Sequence, residues 1–139
     1  MLEPMECVGF RLRRANRAIT SFFDRRLRET GVRGTQWPVL AGLAQMGRVP
    51  LGRLAEVLGM DASTVSRSVQ PLVRQGWVRL EDATEASRRQ RFAALTRSGT
   101  KKFEEARAVW AEAQRDLLAV AGSEWPAVVE TLDRLERQT

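Results

Sequence analysis

Ser63, Thr64, Ser66, Arg67, Gln70 and Arg74 lie within ASTVSRSVQPLVR at steps that put them on one side of a helix. Together they carry three hydroxyls, an amide and two guanidiniums. Hydroxyls and backbone N–H groups near a helix start bind phosphate, while Arg and Gln grip base edges with paired hydrogen bonds. That chemistry suits the major groove of duplex DNA. The other side holds Val65, Val69, Leu72 and Val73 at i, i+4, i+7 and i+8, the rhythm of a buried stripe. Any exposed helix face is polar, so this one is equally explained by solvation until its neighbours are considered.

Those neighbours supply a frame. Leu51, Leu54, Ala55, Val57 and Leu58 recur at helical spacing, Gly59 suits the left-handed residue that ends a helix, and Asp61 suits the cap that starts the next. Two helices at a sharp turn result, the second running over 61–75. Pro71 lies inside it and cannot donate to the carbonyl of Arg67, which predicts a bend. Two short β-prone runs follow, Trp77 to Leu80 and Arg91 to Leu95, separated by EDATEASRRQ. We read them as a two-stranded wing over 77–95 with a long polar tip. Arg88, Arg89 and Arg91 cluster at that tip and on the return strand, where they suit the negative potential of a minor groove. The alternative is a disordered charged loop.

The flanks are helical. Val8, Leu12, Ala15, Ile19, Phe22 and Leu27 describe one amphipathic helix from about Met5 to Thr30, which Gly31 ends. Arg11, Arg13, Arg14, Arg17, Arg25 and Arg28 cover its other face, more as solvation than as contacts to DNA flanks. A second helix runs from about Thr35, its cap, to Gln45, with Pro38 in the first turn. Thr96 caps a long helix carrying Phe103, Ala106, Trp110, Ala113, Leu117 and Val120, and Gly122 ends it. Ser123 then caps a last helix with the stripe Trp125, Val128, Val129, Leu132 and Leu135. The division expected is an N-terminal dimerisation helix over 1–34, a DNA-binding unit over 35–96 and C-terminal dimerisation helices over 97–139. A winged unit buries its own core, so amphipathic helices at both ends need a further surface, and a second copy of the chain provides it. Two recognition helices roughly 34 Å apart would then read a two-fold-related site. A monomeric bundle is the alternative.

Composition narrows the classes. The 139 residues fit one ordinary domain, and the formal net charge of +6 favours a polyanionic partner. There is no His and one cysteine, Cys7, so neither a zinc cluster nor an internal disulfide is expected, and no cofactor is called for. No apolar run reaches the roughly 18–20 residues that span a bilayer, nor does the start read as a secretory signal. A cytoplasmic protein without membrane contact is expected. Glycine-rich phosphate loops and nucleophiles beside an evident base are missing, and Glu104 and Glu105 read as a solvated helix face, so the chain is not expected to be an enzyme.

LAEVLGMDASTVSRSVQPLVRQGWV leading into a wing, with LTRSG then opening a long helix, resembles the MarR family of bacterial transcriptional regulators. The resemblance spans nearly the whole chain and implies a mainly α fold with a small β-wing. It implies a homodimer built through the N- and C-terminal helices, with recognition residues mapping onto Ser63, Thr64, Ser66 and Arg67. Asp82 and Glu85 precede Arg88 and Arg89 after an apparent two-residue lengthening of the family's wing. The resemblance further implies a regulator, commonly a repressor, of a pseudo-palindromic operator in double-stranded DNA. Many relatives are released from DNA by a small aromatic or apolar effector bound between the DNA-binding lobe and the dimer helices, and others sense oxidants through cysteine. Cys7 near the start of the first helix, with Arg11 one turn on, fits the second mode, although the chain lacks the tyrosines that peroxide-sensing relatives pair with theirs. A plain buried thiol is the other reading of Cys7. A winged-helix module binding protein through the same surface remains the alternative from another class.

Overall fold

The computed structural model describes residues 1–138, six helices and a three-stranded antiparallel sheet. Helix α1 spans Val8–Leu27, and one 3₁₀ turn, Arg28–Thr30, carries the chain to Gly31, whose φ of 82° closes it. Leu27 is the only residue of α1 buried within the chain, whereas Val8, Leu12 and Ile19 of the expected apolar stripe are exposed. The rhythm of the stripe is helical, but nothing in this one chain covers its first half. Further along, α1 is tied to a later helix, α5 (Arg97–Ala121), by Arg26 and Asp116 at 2.6 Å.

Helix α2 covers Trp37–Met46 with Pro38 in its first turn, where the missing N–H is harmless. The expected cap at Thr35 does not form. Gln36 takes the capping position, and its side-chain oxygen instead accepts the Arg33 N–H at 3.0 Å, because residues 33–36 make their own tight turn ahead of the helix.

A short strand, β1 (Val49–Pro50), leads directly into α3 (Leu51–Leu58), which Gly59 ends at φ 64°. Helix α4 spans Ala62–Arg74 and continues through Pro71. Asp61 stands at its cap position but acts through its backbone carbonyl, which accepts the Val65 N–H at 3.1 Å; its carboxylate makes no capping bond. Strands β2 (Val78–Glu81) and β3 (Phe92–Leu95) form the wing. The expected two-stranded wing is in fact three-stranded in the order β1-β3-β2, with Val49 opposite Ala93. Two residues of strand are too few to register as a pattern. The return strand also begins at Phe92, one residue after Arg91.

Val49, Val78 and Ala93 turn inward onto Leu40, Leu43, Leu54, Val65, Val69 and Leu72, and each of these leucines contributes about 2 kcal/mol through burial. Leu27, Val32 and Ala106 join the same core from the flanking segments. At the junction of α2 and α5, Trp37 stacks on both Phe103 and Trp110, with centroids 5.4 and 5.1 Å away.

Thr96 caps α5 as expected, accepting the Gly99 N–H at 3.0 Å, and its hydroxyl donates to the Gly76 carbonyl. Gly99 is required there, since a Cβ would stand 1.9 Å from the carbonyl oxygen of Trp77. Gly122 ends α5 at φ 59°. The expected Ser123 cap is displaced, because a 3₁₀ turn over Gly122–Glu124 puts Glu124 at the start of α6 (Trp125–Arg137). No residue of α6 is buried, and Trp125, Val128, Val129, Leu132 and Leu135 all lie open on one side. Among the described residues no helix is long and apolar enough to cross a membrane.

Candidate nucleic-acid interface

The turn between α3 and α4 decides how α4 is presented. Gly59 and Met60 donate back to the carbonyls of Ala55 and Glu56, reversing the chain within one turn of helix, and Val65, Val69 and Leu72 then seat α4 on the core. What remains outward is the polar stripe. Ser63, Arg67 and Arg74 are exposed, and Thr64, Ser66 and Gln70 are half-buried along its margins. Ser68, one turn further on, has its hydroxyl engaged, donating to the Thr64 carbonyl at 2.8 Å. Among the described residues Arg67 and Arg74 form no ion pair, so both guanidiniums are available to an external anion.

The wing divides the three arginines expected to act together. Thr84 and Ser87 exchange N–H to hydroxyl bonds of 2.9 and 3.1 Å, and the Arg89 N–H closes onto the Thr84 carbonyl at 2.8 Å. The tip is therefore a hydrogen-bonded turn. Within it Arg88 and Arg89 take φ values of 57° and 62°, a left-handed pair that side chains other than glycine seldom adopt. Both are exposed and form no ion pair among the described residues. Arg91 is elsewhere, at the root of the wing. Its guanidinium stands 4.0 Å from Asp82, and its carbonyl accepts the Leu51 N–H at 3.0 Å.

Between wing root, α3 and α4 lies an open cleft of about 530 Å³ lined by Arg53, Ser66, Gln90 and Arg91 among others. Arg53, which the sequence pattern did not single out, is exposed there with Glu56 at 2.9 Å. A matching cleft on the other flank of α4 is lined by Arg33, Thr35, Gln36, Ser68, Pro71 and Gln75. The polar phase of α3 would have pointed to Arg53, whereas Arg33 lies in a turn with no periodicity to place it.

One more arginine was missed. Arg48, in the corner between α2 and β1, meets the Glu81 carboxylate through bonds of 2.7, 2.9 and 3.1 Å and lies 3.9 Å from the centre of the Phe92 ring. The hydrogen bonds from Arg48 hold the Glu81 carboxyl below the ordinary carboxylate range. Cys7, at the cap of α1, is exposed within the single chain.

Comparison with known proteins agrees with this geometry. A family model described as the MarR family matches residues 30–90. An uncharacterised helix-turn-helix transcriptional regulator of Bacillus subtilis, YwoH, is 28% identical over 103 residues, 74% of each chain. The Mycobacterium tuberculosis transcriptional regulator MosR, in a crystal structure with DNA, superposes with a TM-score of 0.84 at 27% identity over 95% of both chains. BpsR of Bordetella bronchiseptica, whose DNA binding is regulated by 6-hydroxynicotinic acid, shares the fold at a TM-score of 0.83 and 22% identity, over 98% of this chain and 97% of its own.

Proposed function

We infer that the chain is a member of the MarR family of winged helix-turn-helix transcriptional regulators, DNA-binding proteins, and from that premise we propose that it is a cytoplasmic homodimeric repressor of a pseudo-palindromic operator. The observation that carries the reading is the cationic stripe of α4, unpaired among the described residues, set between two open clefts and beside a basic wing tip. In this proposal Arg67 and Gln70 reach base edges from the major groove, and Ser63, Thr64, Ser66 and Arg74 fix the helix against phosphates. Arg88 and Arg89 meet the adjacent minor groove, while Arg91 acts from the wing root. Residues 35–96 serve as the DNA-binding unit, with 1–34 and 97–139 joining two copies.

Dimerisation is supported by the open apolar sides of α1 and α6, where five large side chains of α6 alone meet solvent. Such a contiguous patch on a small chain marks an interface. Selection of bound duplexes from a random pool tests the proposal. Enriched sequences should show two related half-sites with centres about one duplex turn apart, and a pool that stays random would refute it.

Release by a small aromatic or apolar effector is the second element of the proposal. It draws on BpsR, whose DNA binding responds to 6-hydroxynicotinic acid. Its support in this chain is the stacked Trp37, Phe103 and Trp110, which would report a bound ring at the junction of winged unit and long helix. Titrating a panel of small aromatic acids into the protein–DNA complex should release duplex and quench indole fluorescence together. Release without quenching would move the effector site away from that junction.

A further inference from the structure

We propose that Arg48 and Glu81 form a clamp that sets the angle of the wing, making Arg48 a positioning residue for DNA binding although it makes no contact with DNA itself. The inference rests on the reading that the wing tip touches DNA.

Register explains why the clamp falls where it does. Phe92, the first residue of β3, pairs with Pro50 of β1 on one side and with Glu81 of β2 on the other. These three residues stand in one row across the sheet, on its outer face, at the line where strands end and tip begins. Arg48 approaches from the β1 side, lies over the Phe92 ring at 3.9 Å, and ends on the Glu81 carboxylate with Nε and Nη2 both donating. One side chain thus spans all three strands at the root of the tip.

Arg is suited to this as Lys is not, since its planar fork grips a carboxylate with two bonds while its face stacks on a ring. Arg79 adds a weaker approach to the same carboxylate at 3.8 Å. Among the described residues the only ion pair further out is Asp82–Arg91 at 4.0 Å, and the bonds among Thr84, Ser87 and Arg89 fold the tip on itself without tying it to the sheet. Freed of the clamp, the tip would be held to the sheet only by the strand ladders that end at Glu81 and Phe92, and Arg88 and Arg89 would lose their fixed reach.

The test exploits an inversion of sign. Removing an anionic side chain beside a DNA-binding surface should, by charge alone, tighten binding to a polyanion. The clamp predicts the reverse: Glu81→Ala and Arg48→Met each weaken binding of a selected duplex about three- to fivefold, the scale of one well-made exposed pair. Neither should weaken it further in a chain already carrying Arg88→Ala and Arg89→Ala. The swapped pair Arg48→Glu with Glu81→Arg should recover binding, with thermal unfolding midpoints followed throughout to show that all variants fold.

Tighter binding by Glu81→Ala overturns the clamp. So does an Arg48→Met loss that simply multiplies with the loss from the wing-tip variant, since Arg48 would then be touching phosphate directly. If the Arg88→Ala, Arg89→Ala chain binds as tightly as the unaltered one, the underlying reading of the wing fails instead, and the two failures are told apart by that single arm.

Discussion

Arg67 and Arg88 are chemically alike and are expected to behave differently. Arg67 stands on the outer stripe of α4, where a fork can match O6 and N7 of guanine, whereas Arg88 projects from a turn suited to the degenerate minor groove. Arg67→Ala should cost about 1–3 kcal/mol at the selected site and relax preference at one base pair per half-site. Equal losses on selected and scrambled duplexes would make it a phosphate clamp. Replacing Arg88 and Arg89 together with Ala should weaken all duplexes alike and reduce the log–log salt slope by about 0.9 for each phosphate no longer neutralised. Residue types on α4 were legible in the sequence because a helix converts spacing into a face. Arg53 was within reach of the same reasoning through the polar phase of α3, whereas Arg48 and Arg33 were not, because turns carry no period and an ion pair across 33 positions of chain leaves no local trace.

Elements were legible where a periodic stripe and a stop signal agreed. Gly31, Gly59 and Gly122 all take positive φ where the pattern ends, and Thr96 makes its cap bond. Capping failed where the pattern offered a hydroxyl but the chain offered a better turn, at Thr35 and Ser123. The two-residue β1 was below any pattern's reach, although it supplies a third strand to the wing. A tight joint between elements lies at Gly99, where α5 starts against the Trp77 carbonyl. Gly99→Ala forces backbone apart there and should lower stability by about 3 kcal/mol, the upper part of the usual range for overpacking. Chemical denaturation checks this, and an unchanged midpoint would mean the start of α5 shifts freely from the wing.

At the scale of the whole molecule the unburied helices matter most. Within one chain α6 covers nothing and α1 is covered only toward its end, yet both keep apolar stripes that the periodicity predicted. Light scattering of the full chain at micromolar concentration should give a dimer, and removing residues 125–139 should give a monomer or an aggregate; a stable full-length monomer would contradict the assembly. Such a dimer is expected to recognise duplex DNA by charge and by sequence together. The measurement that decides this is affinity for a selected duplex and for its scrambled counterpart across a salt series. We expect log affinity to fall linearly with log salt on both, with slope near −0.9 for each phosphate neutralised, and the selected duplex to bind roughly a thousandfold or more tightly at every salt concentration. A flat slope with equal affinities would contradict DNA recognition and point to a winged-helix surface that binds protein.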